Sequence, residues 1–179
     1  MPASPLFVWM DLEMTGLDPE TCAIVEIGVI VTGPDLVPIA KIEHAIWQPE
    51  EVLLRMEPFV RQMHTDNGLL DRIRASRCSL RDAERDVLML LSKHVPYREG
   101  LLAGNSIHTD RSFLVKHMPL IEAYLHYRQL DVTSLKLLAK AWYPSMTPMD
   151  KNEKKSHTAI ADLEASLAEL AHYKKHIFK

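Results

Sequence analysis

Two acidic residues, Asp11 and Glu13, interrupt the otherwise apolar run Leu6-Phe7-Val8-Trp9-Met10-Asp11-Leu12-Glu13-Met14. A run of this composition reads as a buried strand, and side chains at i and i+2 of a strand project to the same face. The two carboxylates therefore point at one locus, where unpaired buried anions are strongly disfavoured. A divalent cation with oxygen ligands would relieve that penalty.

Length bounds what can surround the pair. With 179 residues, 47% of them hydrophobic, residues 1–179 suffice for one compact domain with a single core. No basic presequence precedes an apolar core at the N-terminus, and no run approaches the roughly 18 apolar residues of a membrane span, so a soluble, cytoplasmic protein is expected. Cys22 and Cys78 form no CxxC pair and are too few for a disulfide framework or an all-protein zinc site, which fits a reducing compartment. A net charge of -3 argues against a sequence-independent grip on long duplexes, which draws on many Lys and Arg contacts to phosphate. A short nucleic acid remains permitted.

Periodicity supplies the expected elements. Leu6 to Leu12 and Ile24 to Thr32 read as strands covered on at least one face. Gly33-Pro34-Asp35 offers turn chemistry before the apolar stretch Leu36 to Trp47, so the first half reads as a three-stranded antiparallel meander. From Glu50 the pattern turns helical. Ser79 as N-cap, with Asp82 three residues later, predicts a helix to about Val95. Leu101 to Gly104 reads as a strand, followed by a turn and a helix opened by Asp110. Leu130 to Val132 reads as a further strand, Ser134 to Tyr143 as a helix, and Tyr143 to Lys155 as a loop. A last helix starts near His157, with Ile160, Leu163, Leu167 and Leu170 as its buried stripe and Asp162, Glu164 and Glu169 on other faces. The order implies an α/β fold, a mixed sheet with an antiparallel meander and parallel strands flanked by helices.

Ligands in such sheets collect near strand ends. Asp110, after Gly104, and Asp162, one turn inside the final helix, could reach the locus of Asp11 and Glu13. At ~4 Å two like charges repel by about 4 kcal/mol at an effective dielectric near 20, so four acids together require cations between them. His157 adds an imidazole able to accept a proton near neutrality. Acids, a pair of divalent ions and a base together imply hydrolysis of a phosphodiester. Taken singly, each residue has a blander role: the acidic pair as an edge-strand solubility device, Asp110 as a helix cap, His157 as surface decoration.

Three segments carry a family resemblance. Asp11-Leu12-Glu13-Met14-Thr15-Gly16-Leu17, Gly104-Asn105-Ser106 with Asp110, and His157 with Asp162 resemble, in order and spacing, the exonuclease motifs of the DEDDh superfamily. Trp9-Met10 before the first motif, Leu125-His126-Tyr127-Arg128 with Leu130-Asp131-Val132, and Leu167-Ala168-Glu169-Leu170 make the chain similar to the oligoribonuclease family over nearly its whole length. The resemblance implies an RNase H-like fold, a homodimer, two Mg²⁺ or Mn²⁺ ions, and 3′-to-5′ hydrolysis of very short RNA, chiefly diribonucleotides, to 5′-mononucleotides. It implies Asp11, Glu13, Asp110 and Asp162 as metal ligands and His157 as the base that deprotonates water. It further implies substrate contacts from Met14, Leu17, Phe59, His64, Ser106, Tyr127, Arg128 and Thr133. Leu17 would wedge between the bases, Phe59 would stack, and His64 and Ser106 would lie near phosphate or sugar. Thr133 would cap the 5′ phosphate together with Tyr127 and Arg128 reaching from the partner subunit.

Three departures from the family pattern stand out. Phe59 replaces the usual Trp and stacks with less area, Thr133 replaces the usual Ser, and Lys151 to Lys155 differs. A DEDDh exonuclease trimming longer RNA or DNA would share the five acid and base residues. The acidic net charge and the Tyr127-Arg128 pair favour the short substrate. A binding module that had lost chemistry would lack at least one of the five, and none is missing.

Overall fold

The computed structural model of the protein describes residues 5–145 and 158–178. Its centre is a mixed sheet built from β1 (Leu6–Met14), β2 (Ile24–Thr32) and β3 (Pro38–Ala45), which form the meander. Three short helices follow, α1 (Glu50–Leu53), α2 (Pro58–Asp66) and α3 (Leu69–Ala75), and then the long α4 (Leu80–His94). The remaining elements are β4 (Gly100–Gly104), α5 (His108–His117), α6 (Pro119–Tyr124), β5 (Gln129–Asp131), α7 (Val132–Trp142) and α8 (Ala159–His176). The strand order is β3-β2-β1-β4-β5, with β1 antiparallel to β2 and parallel to β4. Among the described residues no helix is long and apolar enough to cross a membrane.

Alternation along β1 divides the core. Val8, Met10 and Leu12 enter a cluster with Ala83, Val87 and Leu91 of α4 and Phe113 and Leu114 of α5. Trp9, with Phe7 packed against it, enters a second cluster with Val132 of α7 and Leu163, Leu167 and Leu170 of α8. Asp11 and Glu13 share the parity of Phe7 and Trp9, so they face the side of the sheet covered by α7 and α8. Across β2 the register pairs Trp9 with Ile30, Asp11 with Gly28 and Glu13 with Glu26.

Most expected elements form, and the boundaries that move do so for local reasons. Strand β3 is shorter than Leu36 to Trp47 because Leu36 adopts a left-handed φ of 67° in the turn, donating its N–H to the Gly33 carbonyl. Helix α4 begins as expected at the Ser79 cap, where Ser79 and Asp82 form a reciprocal capping box. Helix α5 starts two residues before Asp110, at His108. Val132, expected in a strand, opens α7, because the Asp131 side chain accepts the Thr133 N–H and starts the helix there. Helix α6 was not expected. Glu169, expected off the apolar stripe, is itself buried: its carboxylate accepts from Tyr173 Oη at 2.9 Å and lies 3.2 Å from Lys136 Nζ. The expected loop lies outside the described residues from position 146 onward.

Gly28 is the close-packing point between sheet and α8. A Cβ there would lie 2.8 Å from Ala159 Cβ, 3.0 Å from its carbonyl carbon and 3.1 Å from the Ile160 nitrogen. Two of those atoms are backbone, so the helix itself would have to move. Gly28→Ala is expected to destabilise the protein by about 1–3 kcal/mol in urea unfolding, as overpacked positions do. Parental stability in that variant would show that α8 does not press on β2.

Candidate active site

Helix α8 places Asp162 in its first turn, over the face of β1 that presents Asp11 and Glu13. One carboxylate oxygen from each of Asp11, Glu13 and Asp162 lies within 4.8 Å of the other two. Oxygen ligands about 2.0–2.6 Å from a divalent ion stand up to roughly 5 Å apart, so this triad has cation-binding dimensions. Asp110, buried in the first turn of α5, stands outside the triad, and its Oδ1 accepts the Leu12 backbone N–H at 2.9 Å. That bond ties α5 to β1 beside the acids. His157 lies outside the described residues.

The carboxylates strain against one another. Burial first, then the charges of Asp110, Glu13 and Asp162, push Asp11 up to about 9. Burial, then the charges of Glu26, Asp162 and Asp110, push Glu13 up to about 8, with Arg72 opposing. Burial raises Asp110 to about 7 against the Leu12 N–H. Groups this reluctant to ionise together call for protons or a cation, and an all-oxygen donor set suits a hard divalent ion.

The residues expected to meet substrate all lie within the described residues. Leu17 is 78% exposed in the loop after β1, and Phe59 is 77% exposed at the start of α2. The Leu17 loop is held by its own bonds: Asp18 accepts from the Glu20 N–H and the Thr21 hydroxyl, and Thr15 and Ala23 pair through their backbones. From α5, Lys116 pairs with Glu20 at 2.5 Å and His117 donates through Nε2 to the Pro19 carbonyl at 2.8 Å. Met14 ends β1 at a register shift, half-buried against the core.

Ser106 and Thr133 meet, although 27 residues separate them. Ser106 adopts a left-handed φ of 51°, and its N–H donates to both Asp131 Oδ1 and Thr133 Oγ1 at 3.0 Å. Tyr127 is 73% exposed, stacked on His126 at 4.5 Å, with the Arg128 guanidinium 5.2 Å from its ring centre.

His64, expected near the phosphate or sugar, sits against the end of β1. It is fully buried; its Nε2–H donates to the Met14 carbonyl at 3.0 Å, while Nδ1 faces Glu13 Oε2 at 4.0 Å. Burial lowers its pKa, with the Met14 carbonyl opposing, so the neutral Nε2–H tautomer fits the bond to a carbonyl acceptor. That bond ties α2 to the end of β1.

Sequence reasoning also missed Glu26, Arg72 and Glu43. Glu26, fully buried opposite Glu13, lies with Oε1 2.6 Å from Arg72 Nη2 and accepts the Ala159 N–H at 3.1 Å. Glu43 accepts the Ile160 N–H at 3.2 Å. The signal was visible in Glu26, the one charge inside the apolar run Ile24 to Thr32.

The raised carboxylates set a sign for pH dependence. Asp11, Glu13 and Asp110 bind protons more tightly when folded than unfolded, so without divalent ions their contribution to stability is fully retained below about pH 4, falls as pH rises, and is lost by about pH 9. A cation that replaces those protons stabilises most where they are gone. The gain in Tm on adding Mg²⁺ or Mn²⁺ is therefore expected to grow between about pH 6 and about pH 9, read by thermal unfolding. A gain independent of pH would separate the cation from these carboxylates.

The RNase_T exonuclease family matches over residues 8–170. The oligoribonuclease of Francisella tularensis subsp. holarctica strain OSU18 is 44% identical over 178 residues, 99% of this chain and 98% of that one. The oligoribonuclease of Paracidovorax citrulli is 44% identical over 181 residues, covering 99% and 92%. Among solved structures, exonuclease I of Methylocaldum szegediense superposes with a TM-score of 0.74 at 18% identity, covering 98% of this chain and 41% of that one. The zinc-bound form of the E. coli ExoI–ssDNA complex gives 0.75 at 16% identity, covering 97% and 41%. This chain thus spans about two fifths of those solved chains, and at such identity they speak for the RNase H-like fold alone. Family and full-length relatives together place this chain in the RNase_T exonuclease family, among the oligoribonucleases.

Proposed function

We propose that residues 1–179 form a single exonuclease domain, a 3′-to-5′ exoribonuclease that hydrolyses very short RNA, chiefly diribonucleotides, to 5′-mononucleotides. The observation that carries this reading is the triad of Asp11, Glu13 and Asp162 oxygens within 4.8 Å, in a chain that matches oligoribonucleases from end to end. Asp11, Glu13, Asp110 and Asp162 would hold a pair of divalent ions, Mg²⁺ or Mn²⁺. When bound, such ions supply Lewis acidity that lowers the pKa of water and stabilises charge on phosphodiester oxygens.

The chain's own groups do the rest. His157 takes the proton of the attacking water, as the family resemblance implies. Leu17 wedges between the two bases and Phe59 stacks on one; the exposure of both side chains supports these roles. Ser106 and Thr133, joined at 3.2 Å through their hydroxyls, offer donors to the 5′ phosphate. Arg128 supplies a planar fork of donors to the same phosphate, and Tyr127 closes over it. Groups that bind a terminal phosphate collide with a longer chain, which limits substrate length.

A homodimer brings Tyr127 and Arg128 to the partner's site. Leu137, Leu138 and Trp142 of α7 are exposed apolar side chains that support a second copy docking there. Two free thiols, Cys22 and Cys78, support a cytoplasmic location.

Asp162→Ala is expected to abolish release of mononucleotides from a 5′-labelled dinucleotide while the fold persists by circular dichroism. Retained turnover would remove Asp162 from the chemistry. Tyr127→Ala is expected to lower dinucleotide cleavage by at least about tenfold, the scale of one lost hydrogen bond to a charged group, and to spare residual cleavage of decamers. Equal losses at both lengths would end the phosphate-cap account and favour an enzyme that trims longer 3′ ends.

A further inference from the structure

We propose that Glu26, Arg72 and Glu43 form a clamp that sets the position of Asp162 by seating the first turn of α8 on the sheet. The inference rests on the exonuclease reading only for its catalytic consequence; the geometry stands by itself. A helix start leaves backbone N–H groups without intrahelical partners; in the first turn of α8 only Asp162 reaches back to a ladder carbonyl, and Ala159, Ile160 and Ala161 each take a side-chain acceptor instead. Asp162 donates to the Thr158 carbonyl at 3.0 Å, and Ala161 to the Thr158 hydroxyl at 3.3 Å. The other two acceptors come from far away in sequence. Glu26 on β2 accepts from Ala159 across 133 positions, and Glu43 on β3 accepts from Ile160 across 117.

Water cannot substitute at the first of these amides, because Ala159 is fully buried. Arg72 on α3 bridges the two acceptors, with Nη2 2.6 Å from Glu26 Oε1 and Nη1 4.0 Å from Glu43 Oε2. Its charge lets two carboxylates remain acceptors beside a site that is already acidic. Gly28 completes the seat, since its missing side chain is what lets Ala159 approach β2 opposite Asp11. The clamp therefore grips α8 three residues before Asp162, from the strand that pairs with β1. Displacing that turn by about 1 Å would exceed the roughly 0.5 Å tolerance of a working ligand set.

Glu26, Arg72 and Glu43 act through Asp162 rather than on substrate, so the test needs readouts that a purely structural role leaves unmoved. Mn²⁺ alone is titrated into the full chain and followed by electron paramagnetic resonance, and exchange of the Ala159 and Ile160 amides is measured in parallel. Glu26→Ala and Arg72→Ala are each expected to weaken Mn²⁺ binding by about tenfold to a hundredfold, as loss of a group that orients a ligand does. Exchange at both amides should rise. Dinucleotide kcat should fall with KM nearly constant, because base and phosphate contacts lie elsewhere.

Should Glu26→Ala fail to fold, Glu43→Ala decides, since that side chain is about one third exposed. It should speed Ile160 exchange and weaken Mn²⁺ binding by about threefold or more, while Glu43→Gln, which keeps an acceptor, stays near the parent. Mn²⁺ affinity within about twofold of the parent in all these folded variants, with unchanged exchange, overturns the clamp. A parent inactive on dinucleotides would instead sink the exonuclease reading, and the Mn²⁺ and exchange measurements would still decide the clamp.

Discussion

Repulsion among carboxylates confined to one face of β1 is the constraint to which the surrounding structure answers. Along that face Phe7 and Trp9 pack on α7 and α8, and then Asp11 and Glu13 follow at the same parity. The face changes from apolar to acidic within one strand, and Asp162 in the first turn of α8 joins the acids there. An apolar anchor at one end of the strand thus positions charged groups at the other. Hydrophobic packing of Leu163 and Leu167 against Trp9 holds α8 on the sheet, while its first turn carries Asp162.

How much of this was legible depends on whether the cause was local. The parity of Asp11 and Glu13, the β1 and β2 runs and the Ser79–Asp82 capping box are written within a few residues, and each is found where it was read. Helices α1, α3 and α6 are too short for periodicity to register, and their presence follows from packing rather than pattern. Val132 changed class because a single side chain, Asp131, starts a helix where apolar content alone suggested a strand. His64 illustrates the limit at the site. The family resemblance assigns His64 a substrate contact, but its burial and its bond to the Met14 carbonyl, fifty positions away, were not written in its neighbourhood.

Glu26 was the clearest signal left unused. A lone carboxylate in a strand buried along its whole length needs partners, and its partners, Arg72 and the Ala159 amide, lie 46 and 133 positions away. No spacing rule reaches that far. Glu169 is divided: Tyr173 stands one turn further along α8, within helical spacing, whereas Lys136 comes from α7. Buried polar groups of this kind were visible as anomalies, but their satisfaction belongs to the tertiary fold.

Helix α8 is also held from its other side. Ser166 donates to the Asp162 carbonyl at 2.9 Å and accepts from Asn105 Nδ2 at 2.8 Å, while Asn105 Oδ1 accepts the Thr133 hydroxyl at 3.1 Å. Thr133 in turn touches Ser106, so a continuous chain of bonds runs from the loop after β4 to the backbone of Asp162. Such a network has few alternative arrangements once each member is satisfied, and it fixes distances more firmly than packing alone. The bonds that hold the backbone of Asp162 therefore also hold Ser106 and Thr133, so the loop after β4, the start of α7 and the first turn of α8 are positioned together.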